Sequence, residues 1–324
     1  MKNRYPNIVI RSKNELAKRI SSKKLPPKEA LSLINDVLIN YDKYWKDSKK
    51  SNVKEQKFLR TTVGTPLNTL LRLIDRKILK PHDQLIPDFI FGGVSGRSHI
   101  DAAYSLLGEQ RKRVLLEMDI SKFYEQISRK RVFYFFHKKS GCSVKASNIL
   151  ADLCCVPLGK KGGEQNKQTK LVLARGFSTS PRLAIWTNLD FFLKLKWEMH
   201  KQLKYHNPKI VMFVDDIGLS ASRVSIEKMR SVQNEFEQIL LNSDRNQPLP
   251  INQQKTLIQP FKDGAEHLGI RLGRNKISLG KQTQAKFNRV KTLIKKSGDN
   301  KLKKIMRKKR AYHKYKQQLQ DVAN

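Results

Sequence analysis

Cysteine, acidic side chains and long apolar runs are all scarce in this chain. Three cysteines occur in 324 residues: Cys142, Cys154 and Cys155. Their spacing matches no zinc site, and an odd count argues against a disulfide framework, so they read as reduced thiols packed among helices. No stretch approaches the roughly 20 apolar residues that span a bilayer. No apolar signal core follows Met1. These absences predict a cytoplasmic protein with no membrane partner. The largest deficit is in acid: 28 Asp and Glu stand against 66 Lys and Arg, a formal charge of +38. Such an excess repels itself in a compact fold, and its spread over the whole chain fits a polyanion, nucleic acid above all. A protein that only neutralises phosphate has the same composition, so charge does not separate binding from catalysis.

Where acids are rare, adjacent acids are informative. Asp215 and Asp216 follow the β-type run Lys209-Ile210-Val211-Met212-Phe213 and precede Ile217-Gly218-Leu219-Ser220. The pattern predicts strand, tight turn, strand, with two carboxylates at the tip. Taken singly, an Asp-Asp pair is ordinary turn chemistry. A third acid, Asp119, ends the strand-like run Val114 to Met118. If the two strands are sheet neighbours, three carboxylates converge. Carboxylate oxygen is the ligand type Mg²⁺ prefers, and three can hold two Mg²⁺ ions roughly 4 Å apart for in-line phosphoryl displacement. The plain alternative for Asp119 is a cap on the helix that follows.

The rest of the chain reads as mixed α+β with helical, basic ends. Residues 1–55 read as helical, with apolar positions at Ala30, Leu31, Ile34 and Val37 after Pro26-Pro27. Helices are predicted over 66–79, 98–107, 128–139, 143–155, 180–203 and 224–242. Strands are predicted at 255–259, 265–272 and 276–279. Gly92 to Gly96 reads as a flexible turn, and Gly159 to Lys170 as a polar, mobile loop. Residues 281–324 carry fifteen Lys or Arg against two Asp, which predicts a basic helical appendage.

Further motifs follow in order. Tyr124 lies five residues after Asp119, and Arg175-Gly176-Phe177-Ser178-Thr179-Ser180-Pro181 opens a helix. Lys255 follows the hairpin's helix, and His267-Leu268-Gly269-Ile270 comes next. Over about residues 55–280 this series resembles the reverse transcriptases. Singly each piece has a bland reading, as core aromatic, helix cap or strand edge, and their order carries the resemblance. The usual Pro-Gln before the glycine is here Ala174-Arg175.

The resemblance implies an α+β right-hand polymerase: an N-terminal helical extension over 1–55, fingers over 56–110, and a palm with an antiparallel sheet over 111–265. A fingers insertion near 128–175 interrupts the palm, and 266–324 would form a primer-grip hairpin and basic helical thumb. It further implies Asp119, Asp215, Asp216 and Lys255 as catalytic groups, with Lys255 as acid to the leaving pyrophosphate. Metal ligands would be Asp119, Ile120, Asp215 and Asp216, holding two Mg²⁺, or Mn²⁺. Lys57, Arg60, Arg97, Tyr124, Arg175 and Gly176 would bind substrate, with Tyr124 excluding a ribose 2′-hydroxyl. The implied partners are dNTPs, a structured non-coding RNA as template and an RNA–DNA hybrid. The basic run 301–310 would grip RNA phosphates.

Nothing in the chain resembles an RNase H, protease or maturase region, which points to bacterial stand-alone enzymes. Retron members carry Asn-Ala-x-x-His before the catalytic strand and Val-Thr-Gly near the thumb. Here Asp101-Ala102-Ala103-Tyr104-Ser105 occupies the first position, and no Val-Thr-Gly occurs. The expectation is therefore a defence-associated enzyme copying a partner RNA. A retron enzyme making branched RNA–DNA, an RNA-dependent RNA polymerase and an RNA-binding scaffold stand as alternatives. A homo-oligomer or a partner defence protein is a further open expectation.

Overall fold

The computed structural model describes residues 4–108, 112–167, 170–244, 246–296, 314–315 and 317–321. The basic run 301–310 lies outside the described residues. Helix starts follow capping chemistry. Ser12 caps α1 (Lys13–Ile20) by accepting from the Glu15 amide at 3.1 Å, and Pro27 opens α2 (Pro27–Ile39). Strands β1 (Lys46–Asp47) and β2 (Arg60–Thr61) pair antiparallel, so one hairpin crosses the expected boundary at residue 55. Helix α3 (Pro66–Ile74) runs on into a wider π turn over Asp75–Leu79. Helix α4 (His99–Ser105) begins with a reciprocal capping box between Ser98 and Asp101.

The middle of the chain builds the frame of the site. Strand β3 (Arg113–Asp119) is followed by α5 (Arg129–Tyr134), α6 (Val144–Cys154) and β4 (Cys155–Pro157). Next come α7 (Glu164–Lys167), β5 (Leu171–Leu173) and the 24-residue α8 (Ser180–Leu203). At 1.5 Å per residue α8 is about 36 Å long. Strands β6 (Lys209–Phe213) and β7 (Asp216–Ser222) form the expected hairpin, and α9 (Ile226–Leu241) follows. Strands β8 (Leu257–Pro260), β9 (Glu266–His267), β10 (Ile270–Leu272) and β11 (Ile277–Leu279) precede α10 (Lys281–Lys296).

The central sheet is antiparallel with strand order β6-β7-β3-β8. Alternation along each strand divides its two faces. Val114, Leu116 and Met118 of β3, with Ile217, Leu219 and Ala221 of β7, enter the main core, which runs from Tyr5 to Ile251. The opposite face carries Arg113, Leu115, Glu117 and Asp119 of β3, beside Asp216, Gly218, Ser220 and Ser222 of β7. A smaller core of Phe91, Ile100, Leu115, Val211, Phe261 and Ile270 covers part of it. Arg113, buried there, donates to Ser220 Oγ at 2.8 Å and Ser222 Oγ at 2.8 Å.

Three expectations need correction. Residues 4–10 are not helical; Ile8 and Ile10 are buried, and the Ile8 amide donates to the Ser140 carbonyl at 3.0 Å. The segment 159–170 contains the short helix α7. Gly92 to Gly96 is no free turn: the Phe91 amide donates to the Met212 carbonyl at 2.8 Å, against the edge of β6. A side chain at Gly92 would overlap the Val214 backbone nitrogen. The glycine is there to let this segment lie against the hairpin tip.

Candidate active site

Register brings the three acids together. Asp119 is the Cα partner of Asp216 across β3 and β7, and Asp216 also faces Phe213 across the hairpin. Val214 and Asp215 form the two-residue turn between β6 and β7. Val214 sits at φ 61°, a left-handed conformation costly for a β-branched residue, and the packing of Gly92 beneath it holds that strain in place. The Ile120 amide donates to the Asp215 carbonyl at 2.9 Å, fixing the turn to the end of β3.

The electrostatics are those of an under-compensated acid cluster. Asp119 is 8% exposed and bonds to Lys255 Nζ at 3.0 Å. That hydrogen bond holds the Lys255 ammonium above its ordinary pKa, aided by the nearby charges of Asp119, Asp216 and Asp215. Burial raises Asp215, reinforced by the charge of Asp119. Asp216 is pushed up to about 6 by burial and then by the charge of Asp215. Among the described residues no three His, Cys, Asp or Glu side chains already close into a metal cage. The acids stand near one another, and the Lys255 ammonium is bonded to Asp119.

Tyr124 is buried beside this cluster. Burial raises its hydroxyl pKa, and the charge of Asp215 raises it further. The Arg175 guanidinium lies 5.0 Å from the Tyr124 ring centroid. Arg175 also forks onto Glu125, with Nε to Oε1 at 3.0 Å and Nη2 to Oε2 at 2.8 Å. Arg175 therefore buttresses Tyr124 and is tied to an internal carboxylate. Gly176, at φ 102°, permits a close approach within the protein: a side chain there would strike the Arg60 carbonyl. The Arg60 amide donates to the Arg175 carbonyl at 2.7 Å.

The remaining expected substrate contacts are placed differently. Arg60 is buried and bonds to Asp47 and to the carbonyls of Pro157 and Gly159. Burial lowers its pKa to about 10. Arg97 donates to the carbonyls of Ile86 at 2.8 Å, Pro87 at 2.5 Å and Ile90 at 2.6 Å. Both guanidiniums hold loops in place here, because a planar five-donor group satisfies several carbonyls at once. Lys57 pairs with the exposed Glu55 at 2.8 Å, and that pairing, ahead of the charge of Lys255, lowers the Glu55 pKa.

Sequence reasoning missed Glu117 and Glu125 as parts of this site, and placed His267 only in the run resembling a primer-grip hairpin. His267 is buried, and its Nδ1 lies 2.8 Å from Glu117 Oε1. This ties the β9–β10 hairpin to β3. Gly218, directly opposite Glu117, leaves the room that the His267 ring fills. The turn of that hairpin uses Leu268 at φ 52° and Gly269 at φ 76°. Alternation could have drawn attention to Glu117, since it shares a strand face with Asp119.

Comparison with known proteins gives the family. Residues 49–272 match the family model described as "Reverse transcriptase (RNA-dependent DNA polymerase)". The chain belongs to the reverse transcriptase family. It is similar to the Retron Se72 reverse transcriptase of Salmonella heidelberg, at 25% identity over 238 residues, 74% of this chain. The chain spans 55% of that relative's length. The matched region contains Asp119, Tyr124, Gly176, Asp215, Asp216 and Lys255. No helix among the described residues is long and apolar enough to cross a membrane.

Proposed function

We propose that this chain is an RNA-directed DNA polymerase that works at Asp119, Asp215 and Asp216. The observation that carries the reading is the opposition of Asp119 and Asp216 across antiparallel strands, with Asp215 in the adjoining turn. In this reading the β6-β7-β3-β8 sheet is the palm, the segments before β3 and over 128–175 are fingers, and β9–β11 with α10 begin the thumb.

The donor set fits a hard divalent cation. Three carboxylates meet at the end of β3 and the β6–β7 turn, and burial, then the neighbouring acid, raises both Asp215 and Asp216. Asp119, Asp215 and Asp216, with the Ile120 backbone, would hold two Mg²⁺, or Mn²⁺. Bound there, the ions supply neutralisation of the triphosphate and activation of the primer 3′-hydroxyl. The protein's own groups do the rest. Lys255 keeps its proton at neutral pH and stands where it can pass it to a departing pyrophosphate. Tyr124, stiffened by Arg175 and Glu125, is a fixed wall that excludes a ribose 2′-hydroxyl. Lys57 faces the triphosphate, while Arg60 and Arg97 keep the surrounding loops in position.

The template in this reading is a structured non-coding RNA, the other substrates are dNTPs, and the product is an RNA–DNA hybrid. Antiphage defence is the biological setting the family suggests. A second reading, a retron enzyme, is favoured by the similarity to the Se72 relative, against the motif departures at Asp101 and the missing Val-Thr-Gly.

The test is primer extension by the purified full chain on an RNA template with Mg²⁺. Extension with dNTPs, lost in Asp216→Asn, is the expected result. Extension with rNTPs alone would support an RNA-dependent RNA polymerase, and RNA binding without any extension would support a scaffold. Sequencing the nucleic acid that co-purifies, and testing it for a branched linkage, separates the retron reading from the other.

A further inference from the structure

The distal half of α8 carries side chains that neither the core nor the polymerase reading uses. Lys194, Trp197, Lys201 and Tyr205 follow one another at intervals of three, four and four residues. That spacing sets them in one stripe along the helix and the turn after it. Trp197 is 60% exposed and Tyr205 is 89% exposed. Large aromatic side chains usually bury most of their surface, so two on one solvent-facing stripe call for a covering partner.

The surroundings select its chemistry. Lys201 Nζ lies 5.4 Å from the Trp197 ring centroid, and Lys204 Nζ lies 5.5 Å from the Tyr205 ring centroid. Each ring therefore presents a flat face beside a cation. Glu198 is paired with Lys201 at 3.5 Å, and Asp88 with Lys196 at 3.3 Å. Lys194, Lys204 and Lys209 are exposed and enter no ion pair among the described residues. His200, one turn beyond Trp197 and one turn before Lys204, leads round the helix from the stripe to a groove of about 510 Å³ whose lining also includes Phe89, Tyr104, Lys196 and Lys209. Through Tyr104, Leu107 and Lys209 it continues into a second hollow of about 540 Å³ that reaches Asn275.

We propose that this stripe and groove form an anchoring surface for single-stranded RNA. The inference rests on the polymerase reading only in taking RNA as the partner. Aromatic faces stack on unpaired bases whatever their identity, while interleaved lysines neutralise the phosphates between them. A duplex hides its base faces and would leave both rings uncovered. A protein partner fits less well, because the stripe and its flanks carry an excess of lysine, with Lys194 and Lys204 outside any ion pair among the described residues. Trp197 stands 17 residues beyond the start of α8, about 25 Å along the helix from Ser180. Strand held here is thus outside the polymerising cleft, where it tethers the template RNA to its enzyme.

The experiment uses the full chain, with a short single-stranded oligouridylate as probe. Fluorescence anisotropy measures binding to wild type, to Trp197→Ala/Tyr205→Ala and to Lys194→Glu/Lys201→Glu. In parallel, each protein extends a short pre-annealed primer on RNA. The aromatic variant should bind about tenfold or more weakly, from the loss of two stacked bases. The lysine variant should bind more weakly and with a shallower salt dependence. Extension of the pre-annealed primer should be unchanged in both, and ultraviolet crosslinking should label peptides holding Trp197 or Tyr205 in wild type. Unchanged affinity of both variants overturns the proposal. A shift of oligomeric state in the aromatic variant, with RNA affinity intact, overturns it in favour of a protein interface. Absence of extension in every protein would defeat the polymerase reading, while the binding series would still decide this one.

Discussion

Two charge clusters near the β6–β7 hairpin treat acid in opposite ways. Arg182, in the first turn of α8, donates to Asp75 at 2.7 and 2.9 Å, to Asp83 at 2.7 and 2.9 Å and to Ser95 at 2.9 Å. One planar cation thus satisfies two carboxylates and joins α8, the π turn after α3 and the segment leading to Gly92. At the other cluster three carboxylates share Lys255, whose bond is to Asp119. Arg182 hydrogen-bonds both carboxylates of its network, which lowers the pKa of Asp83 although burial still raises that of Asp75. The Asp119 cluster leaves charge uncompensated and costs stability. Unpaired charge inside a protein is retained where a ligand completes it.

The contrast can be broken most severely at the acids. Asp119→Asn or Asp216→Asn should lower dNTP incorporation by at least about 10³-fold, as expected for loss of several kcal/mol of metal-borne stabilisation. The fold should persist by circular dichroism. If activity survives both changes, the acids are not the reacting centre.

Arg182→Met tests the closed cluster. It strands Asp75 and Asp83, and should cost about 3–5 kcal/mol in urea unfolding. A loss below about 1 kcal/mol would mean that the ion pairs are already solvated.

Lys255→Met comes next. Incorporation should fall by about 10²-fold through loss of a general acid. The fall should be smallest when the nucleotide carries a better leaving group than pyrophosphate. An equal fall for both leaving groups would assign Lys255 to holding Asp119 alone.

The smallest effect is the most diagnostic. The folded-state pKa of Asp216, about 6, lies above its ordinary 3.8. A raised carboxyl penalises the fold where it is ionised in both states, above the folded pKa. The penalty fades as pH falls towards the unfolded value. Asp216→Asn should therefore stabilise the metal-free protein at pH 7 by about 1–2 kcal/mol. The gain should vanish near pH 4 and shrink when Mg²⁺ stabilises the wild type. A destabilised variant at pH 7 would show that Asp216 is already compensated.

Legibility in the sequence followed the range of the interaction. Helix α8 was readable because Ser180-Pro181 marks its start and apolar spacing persists to Leu203. The acid hairpin was readable because period-two alternation brackets two turn acids. Arg60 and Arg97 were not. Each is one of 66 cations, and only the carbonyls of distant loops show them to be structural. Glu125, the partner of Arg175, lies beside Tyr124 in sequence, yet its pairing spans fifty residues. Gly176 was recognisable as a substrate-side glycine and Gly92 only as a turn residue; what approaches each is backbone from elsewhere in the protein.

The sequence by itself determined the α+β class, the order of acids, aromatic and lysine along the chain, and a surplus of positive charge that calls for a polyanion. Those properties depend on local pattern and composition. Tertiary structure alone decided that Asp119 faces Asp216, that Lys255 reaches Asp119 across β3, and that Arg182 is spent while the acids are not. Strand register and side-chain pairing join residues about a hundred positions apart, and no local pattern encodes which of many identical charges will meet.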